Sequence, residues 1–319
     1  MTDGTINKPR IATLFGEKDV STFLGLEACD NLEELSAGLA IIGASCASPY
    51  PSVGAYCKEA PQALRAAMAP FASSAVRHNF DVGGELFPEG AKKAVDCGDL
   101  AYDETDAEGN RARIEAAVRT ILKKGAVPVV LGGDDSIPIP MLSAFEGTGP
   151  YTILQLDAHI DWRPSHEGEP MGLSSTMRRA SEMPHIERII QVGARVTGSA
   201  HPQDYQDAVD WGVHFVTARD IHAGGADAAL KYIPEDSAII VCVDFDVLDP
   251  SLVPGVIGRT PGGLSYFQTL DLIEGAARRG SVAAIDFVEY MPDADIDGIG
   301  GLNASRLVAS SLGILARQS

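Results

Sequence analysis

Short apolar runs alternate with amphipathic segments along most of this chain. The apolar runs predict buried strands at Leu39–Ile42, Val95–Cys97, Val127–Leu131, Thr152–Leu156, Arg188–Val192, His214–Thr217, Ala238–Val243 and Val282–Ile285. The amphipathic segments predict helices at Ala60–Phe71, Asp106–Lys124, Leu173–Glu182, Gln203–Val209, Ala226–Tyr232, Tyr266–Arg279 and about Asn303 to Arg317. Continuously apolar strands that alternate with helices are typical of a parallel sheet covered on both faces. We therefore predict an α/β fold, with one three-layer α/β/α domain around a central, mainly parallel sheet.

The two parts of the chain differ in periodicity. Residues 1–35 show little pattern and predict an N-terminal arm, whereas residues 36–319 carry the alternation and predict one domain. Met1–Arg10 is polar and lacks the apolar core of a signal peptide, and no apolar run reaches the roughly 18 residues of a membrane span. The five cysteines form no CxxC pair. These features favour a cytoplasmic protein with reduced thiols.

The formal net charge is -19 at pH 7, and it excludes two classes of partner. Nucleic-acid binding needs a basic face that neutralises phosphates, and no basic cluster is present. The same charge argues against an anionic membrane surface. An acidic surface favours a cationic small molecule, although solubility alone also explains it.

Acidic residues follow several of the predicted strands. Asp157, His159 and Asp161 come directly after Thr152–Leu156, and Asp244 and Asp246 come after Ala238–Val243. Two further strand ends are acidic in the same way: Asp134 and Asp135 after Val127–Leu131, and Asp286 and Glu289 after Val282–Ile285. A single aspartate there is explained by helix capping. The whole set, brought to one edge of a parallel sheet, predicts bound cations, because so many like charges cannot share a small volume alone.

The spacing and residue types suggest a pair of divalent ions. Alternate residues of an extended segment point the same way, which would group Asp157, His159 and Asp161. An imidazole among carboxylates favours Mn²⁺, Ni²⁺ or Zn²⁺ over Mg²⁺ and Ca²⁺. Two such ions lower the pKa of a bridging water and stabilise charge on the attacked atom. No serine or cysteine nucleophile with a neighbouring base is apparent, so attack by an activated water is expected.

Several motifs in order resemble the ureohydrolase family, which contains arginases, agmatinases and guanidino-acid hydrolases. The motifs are Gly-Gly-Asp-Asp135-Ser, Asp-Ala-His-Ile-Asp161, Val-Asp244-Phe-Asp246-Val-Leu-Asp-Pro250, Pro254-Gly255, Pro261-Gly-Gly-Leu264 and Asp286-Phe-Val-Glu289-Tyr-Met-Pro292. The resemblance extends from about Ile41 to the C-terminus. It implies a three-layer α/β fold, a binuclear manganese-type site, and trimers or hexamers. The implied reaction is hydrolysis at a guanidinium carbon to give urea and an amine.

The resemblance also implies roles for individual residues. The metal ligands would be Asp157, His159, Asp161, Asp244 and Asp246, with Asp135 at the position of a further ligand. Glu289 would hold the guanidinium group, a cation that matches a carboxylate fork. Asp134 would belong to the shell that orients the ligands.

The chain departs from the family pattern at two places. Asp135 stands where the family usually has histidine, which adds negative charge beside one ion; it either binds with altered metal preference or leaves that ion loosely held. The histidine expected in the pocket loop is absent from Gly172–Met177, and His166 is its nearest replacement. By proximity alone, the pocket wall would include Trp162, Glu167 and Ser174.

The favoured hypothesis is a binuclear-metal hydrolase of a guanidino C–N bond, with two divalent ions per chain, Mn²⁺ first and Ni²⁺ second. Asp161 or His166 would relay a proton to the departing nitrogen. The substrate would be agmatine, a guanidino acid, guanidine or a substituted (bi)guanide, and the assembly a homo-oligomer. The alternative is a non-catalytic subunit that assembles with an active homologue. A third reading, a metal-dependent deacetylase, fits the Asp286–Glu289 motif less well.

Overall fold

A computed structural model describes residues Val20–Gln318, and within them nine strands form one sheet. The strands are β1 (Glu27–Ala28), β2 (Leu39–Ala44), β3 (Ala94–Asp99), β4 (Val127–Gly132), β5 (Tyr151–Leu156), β6 (Ile186–Val192), β7 (His214–Val216), β8 (Ala238–Asp244) and β9 (Ser281–Val288). Their order is β1-β3-β2-β4-β9-β8-β5-β6-β7, and every pairing is parallel. The predicted α/β class and mainly parallel sheet are confirmed.

Helices cover both faces of this sheet. They are α1 (Ala60–Met68), α2 (Ala107–Lys123), α3 (Pro138–Ser143), α4 (Thr176–Ser181), α5 (Pro202–Trp211), α6 (Ala218–Gly224), α7 (Asp227–Leu230), α8 (Tyr266–Arg279) and α9 (Ile299–Ala316). One apolar core contains α1, α8 and α9, and a second contains α2, α3 and α4. Successive residues of β5 enter opposite cores, with Leu154 and Leu156 in the first and Ile153 in the second. The strands are therefore apolar on both sides.

Local sequence determines where several helices begin. Ser265 caps α8 by accepting the Gln268 N–H, and the Gln268 side chain accepts the Ser265 N–H in return, which forms a capping box. Asp106 caps α2 through the N–H of Gly109. The predicted helix at Leu173–Glu182 starts instead as a 3₁₀ turn and becomes α-helical at Thr176. The chain also forms α3 and α6, which the periodicity did not indicate.

Helix α9 is long and apolar enough to cross a membrane by length and composition. Its 18 residues have a mean hydropathy of 1.2, but 78% of them are buried inside the protein. The helix packs against α1 and α8 in the first core. Burial of this kind is typical of the central helix of a globular protein, where apolar side chains pack against other helices.

The described part of the predicted N-terminal arm contacts the edge of the sheet. Strand β1 pairs with β3, and the buried Phe23 donates its N–H to Asp96 Oδ2 at 2.6 Å. Asp96 is also held by Arg65 of α1, through Nε at 2.8 Å and Nη2 at 2.9 Å. This buried ion pair joins the arm to α1 and β3. The rest of the predicted arm, residues 1–19, lies outside the described residues.

Candidate metal centre

The acidic residues singled out from the sequence lie at the carboxyl ends of four adjacent strands. In the sheet order, β4, β9, β8 and β5 are consecutive. Asp135 follows β4, Glu289 follows β9, Asp244 ends β8, and Asp157 follows β5. Loops converge at this edge of a parallel sheet, so residues far apart in sequence meet there. The order of the strands in the sheet therefore brings these side chains together.

Two groups of side chains could each hold an ion. Asp157, His159 and Asp246 offer ligand atoms that all lie within 4.8 Å of one another, and so do Asp135, Asp157 and Asp161. Asp157 belongs to both groups. A carboxylate common to two sites is the arrangement by which a single residue bridges two ions. Five of the six predicted metal ligands are therefore brought together in this way.

Asp244, the sixth predicted ligand, lies beside these groups but belongs to neither. It is buried and lines the same cavity as Asp135 and His159. Its Oδ1 accepts the N–H of Asp246 at 2.6 Å, so Asp244 caps the 3₁₀ turn Phe245–Val247 that carries Asp246. Asp244 therefore positions Asp246 through the backbone, and its Oδ2 has no hydrogen bond to a described residue that would compete for an ion.

Buried amides orient the ligands of β5. Gln155 Nε2 donates to Asp157 Oδ2 at 2.8 Å and to Asp161 Oδ2 at 2.9 Å. Gln155 Oε1 in turn accepts from Gln191 Nε2, and Gln191 Oε1 accepts from Trp162 Nε1 at 2.9 Å. Each amide is fixed by the next, so the carboxylates have a defined orientation before any ion binds.

Burial and mutual repulsion make the carboxylates poor acids. The pKa values of Asp135, Asp161 and Asp244 are raised well above the usual range by burial first and by neighbouring carboxylates second. Burial opposes charge on His159 as well, but hydrogen bonds to Asp157 and Asp246 raise its pKa to about 12. Its Nδ1 lies 2.9 Å from Asp246 Oδ2. The metal-free site thus holds a proton on His159, which a divalent ion would displace.

The donor set fits divalent metal ions. Asp135 Oδ2 is buried and has no hydrogen-bond partner among the described residues. An orphaned buried carboxylate oxygen is costly unless a cation satisfies it. Carboxylates with one imidazole match the oxygen and nitrogen ligands of Mn²⁺ and Ni²⁺. His159, with 34% of its side chain exposed, lines the cavity together with Asp135, Asp161 and Asp246.

Glu289 lies next to the two groups and is held by two hydrogen-bond donors, one of which contacts both carboxylate oxygens. The Tyr56 hydroxyl donates to Oε1 at 2.8 Å and to Oε2 at 2.7 Å, and the Asp135 N–H donates to Oε1 at 2.8 Å. Glu289 has a positive φ of 69°, an uncommon conformation for a residue with a side chain. Burial, and then the charge of Asp134, raise its pKa to about 8. Both donors are neutral, so they orient the carboxyl group without pairing its charge.

A cavity of about 330 Å³ opens onto these residues. Its lining contains Glu289 and all of the predicted pocket-wall and relay residues except Glu167: Trp162, His166, Ser174 and Asp161. Its volume is in the range of small-molecule sites. The acids, the relay candidates and the proposed anchor therefore surround one space that can hold a small ligand.

A model of the arginase family matches residues 37–313. The chain belongs to the arginase family. Among its relatives, an N(1)-aminopropylagmatine ureohydrolase of Thermus thermophilus is 33% identical over 215 residues, which cover 66% of this chain and 70% of that protein. The predicted family and the class of enzyme, hydrolases of C–N bonds in linear amidines, are confirmed.

Solved structures show the same arginase fold. The proclavaminate amidino hydrolase of Streptomyces clavuligerus superposes with a TM-score of 0.81 at 24% identity, covering 95% of this chain and 99% of that one. The formiminoglutamase of Trypanosoma cruzi, solved with Mn²⁺, has a TM-score of 0.76 at 21% identity, covering 94% and 100%. Arginase family enzymes use a binuclear divalent metal site, and this chain has acidic and histidine groups that could hold such ions.

The predicted pocket residues occupy different positions around the cavity of this arginase family member. Trp162 is buried, and its indole is tied to Gln191, so it is a fixed wall. Ser174 shares a hydrogen bond of 2.6 Å with the Tyr50 hydroxyl. His166, with 40% of its side chain exposed, stacks edge-on against Tyr50 and places Nδ1 3.0 Å from Arg163. Glu167 accepts the Ser52 N–H at 3.1 Å, outside the cavity lining.

Two of the predicted strand-end acids, Asp286 and Asp134, belong to neither ligand group. Asp286 is not beyond β9 but within it, fully buried, and neither of its carboxylate oxygens has a hydrogen-bond partner among residues 20–318. Burial raises its pKa to about 8. Asp134 accepts from Ser136 Oγ at 2.6 Å and from Cys46 Sγ at 3.4 Å, and it belongs to neither ligand group.

Sequence reasoning missed the residues that support the arginase family site from outside its motifs. Gln155 lies in a strand pattern that is otherwise apolar, so a polar residue inside a buried run was the available signal. Tyr56 gave no such signal, because it lies in the irregular segment between β2 and α1 and is 233 residues from Glu289.

Proposed function

We propose that this protein hydrolyses a guanidino C–N bond and releases urea and an amine. The observation that carries the proposal is the pair of ligand groups that share Asp157 and line one cavity with Glu289. A guanidinium group is planar and cationic, and a carboxylate fork matches it. Glu289 is buried, lines that cavity and belongs to neither ligand group. Hydrogen bonds from the Tyr56 hydroxyl and the Asp135 N–H orient its carboxylate.

Each group around the cavity has a defined part in this reaction. Glu289 would fix the guanidinium carbon beside the ligand groups, so that reacting atoms are held in place. When bound, two divalent ions would supply an activated water and stabilise charge on the attacked carbon. Asp161 or His166 would hold the proton that passes to the departing nitrogen, and both line the cavity. Trp162 and Ser174 would form its wall.

The substrate class is a guanidino compound of small size: agmatine, a guanidino acid, guanidine or a substituted (bi)guanide. The proteins that resemble this chain are named for different substrates, among them an aminopropylagmatine ureohydrolase and a proclavaminate amidino hydrolase. The loop Gly172–Met177, which contributes Leu173 and Ser174 to the cavity, is the part that would accept the substrate tail.

Mn²⁺ is the proposed native metal and Ni²⁺ the second choice. The formiminoglutamase of similar fold was solved with Mn²⁺. Ligand groups of carboxylates and one imidazole support either ion, and the extra carboxylate of Asp135 makes the site more anionic than a set with histidine there. The five cysteines are unpaired, which supports a reducing, cytoplasmic location.

A urea-release screen tests the proposal. The protein is reconstituted separately with Mn²⁺, Ni²⁺, Co²⁺ or Zn²⁺ and offered agmatine, guanidino acids, guanidine and biguanides. Urea release that depends on metal, and that an Asp244→Asn variant lacks, supports the proposal. Acetate release from N-acetylated amines without urea release would instead support a deacetylase. Absence of both products from protein that carries two ions per chain would overturn the assignment.

A non-catalytic subunit is the second candidate, and Asp135 is the observation that favours it. Asp135 stands where the family usually has histidine, and the added negative charge beside one ion would leave that ion loosely held or lost. Metal content separates the two candidates. Two ions per chain support the enzyme, whereas one or none supports a subunit that joins an active homologue.

Native mass spectrometry on the same sample tests the proposed homo-oligomer, a trimer or hexamer, against a hetero-oligomer.

A further inference from the structure

The Tyr56 hydroxyl lies across both oxygens of the Glu289 carboxylate. Its distances to Oε1 and Oε2 are 2.8 Å and 2.7 Å, so the phenol oxygen is almost equidistant from the two. A second donor, the Asp135 N–H, contacts Oε1 at 2.8 Å. The single Tyr56 proton is shared between the two oxygens, so each oxygen already accepts a hydrogen bond. Little of the carboxylate is left for a ligand in this conformation.

Tyr56 also takes the place that a guanidinium would need. A bidentate guanidinium donates two parallel N–H groups, one to each carboxylate oxygen. A donor equidistant from both oxygens lies on the plane that bisects the carboxylate, between the positions of those two N–H groups. The hydroxyl and a bidentate guanidinium therefore compete for the same pair of oxygens.

The hydroxyl is a neutral donor that lines the cavity. Burial, and then the charge of Glu289, raise the pKa of Tyr56 far above its ordinary value, so the phenol keeps its proton. Tyr56 lies in the segment between β2 and α1, and this segment itself forms no helix or strand. This segment is attached to the opposite loop through Tyr50 to Ser174 and Ser52 to Glu167. Tyr56 itself has Glu289 as its hydrogen-bond partner.

We propose that Tyr56 is a gate that lowers the affinity of the guanidinium position. Its hydroxyl must leave Glu289 before a guanidinium can bind with both N–H groups. A guanidinium replaces the lost hydrogen bond with two charge-assisted ones, whereas an alkylammonium offers a point charge without the fork. Opening the gate costs the same hydrogen bond for either cation, so the gate lowers affinity, and the preference for guanidinium comes from the carboxylate fork of Glu289. This inference rests on the proposed role of Glu289 as the guanidinium anchor.

Binding of two small cations to the Mn²⁺-loaded full-length protein tests the gate. Guanidinium chloride and methylammonium chloride, at millimolar concentrations, are titrated by calorimetry into the unaltered protein and Tyr56→Phe. Removing the competing hydroxyl should tighten guanidinium binding by about three- to tenfold, the equivalent of one net hydrogen bond. Methylammonium should gain by a similar factor, so discrimination between the two cations should change little. Unchanged or weaker guanidinium binding by Tyr56→Phe overturns the gate.

Two further variants separate the gate from the proposed function. Tyr266→Phe is the matched control, because the Tyr266 hydroxyl also donates to a carboxylate, Asp81 Oδ2 at 2.9 Å, and does not line this cavity. It should leave both affinities unchanged. Glu289→Gln should abolish guanidinium binding. If Glu289→Gln binds guanidinium normally, the anchor role fails; if it loses binding while Tyr56→Phe gains none, only the gate fails.

Discussion

Gln155 donates from Nε2 to Oδ2 of Asp157 at 2.8 Å, so a buried neutral amide orients the carboxylate that both ligand groups share. The Asp157 Oδ1 accepts the His159 N–H at 2.6 Å. Burial alone would raise the pKa of Asp157, but hydrogen bonds with the His159 and Asp161 side chains outweigh it and lower the pKa to about 2. Asp157 therefore stays ionised in a cluster where the other carboxyls are poor acids.

Replacing this amide should loosen the metal site. Gln155→Leu keeps the buried volume but removes the donor to Asp157 and Asp161. Metal affinity should fall by about 10- to 100-fold, the usual cost of losing an orienting hydrogen bond behind a ligand. Competition with a metal-binding dye measures it. The exposed Gln206→Leu is the control for the same substitution, and an equal affinity in both variants would refute the orienting role of Gln155.

Asp244→Asn should abolish activity while leaving the fold intact. The amide oxygen can still accept the Asp246 N–H, so the 3₁₀ turn keeps its cap, but the negative charge beside the ions is lost. We expect a fall in kcat of at least about 100-fold, in line with removal of one stabilising group from an active site. Urea release is measured beside Asp210→Asn, an exposed aspartate of α5. Near-normal turnover would exclude the assigned role.

Asp135→Asn tests whether Asp135 is a ligand. The substitution preserves size but replaces a carboxylate with a weaker neutral donor, so the ion held with Asp157 and Asp161 should dissociate at least about tenfold more readily. Elemental analysis after gel filtration should show one ion per chain instead of two. The neighbouring Asp134→Asn, whose carboxylate lies outside both ligand groups, should retain two ions. Two tightly bound ions in Asp135→Asn would show that Asp135 is not needed.

The metal-free protein should lose stability as pH rises from 6 to 8. The folded-state pKa of Asp286 is raised to about 8 by burial, and that of His159 to about 12 by its hydrogen bonds to Asp157 and Asp246. Both groups bind more protons when folded than when unfolded over this range. The free energy of unfolding changes with pH in proportion to the protons bound by the unfolded state minus those bound by the folded state. That difference is negative here, so stability falls as pH rises. Each such group contributes on the order of 1 kcal/mol per pH unit.

Urea denaturation with a chelator at pH 6, 7 and 8 checks this dependence. Asp286→Asn removes one of the buried acids and should flatten the curve. Saturating Mn²⁺ should flatten it as well, because bound cations stabilise the ionised carboxylates. A metal-free protein that is equally stable at pH 6 and 8 would show that Asp286 and His159 do not retain their protons in the folded state.

The sequence by itself determined the fold class, the strand and helix series, and the family. Apolar runs such as Thr152–Leu156 indicate buried strands because a covered parallel sheet requires them, and the acids after those runs meet wherever parallel strands end together. Proline hid the short helix α3, since Pro138 and Pro140 lie inside it. The two residues of β1 were too few to show a period.

Only the tertiary structure decided which acids share an ion and which act otherwise. The order β4-β9-β8-β5 makes neighbours of Asp135 and Glu289, and crossing connections of that kind leave no local period in the chain. The same holds for Tyr56 and Glu289, which are 233 residues apart and meet through one hydroxyl. Periodicity reports which face of an element is buried; contacts between side chains depend on how the elements pack.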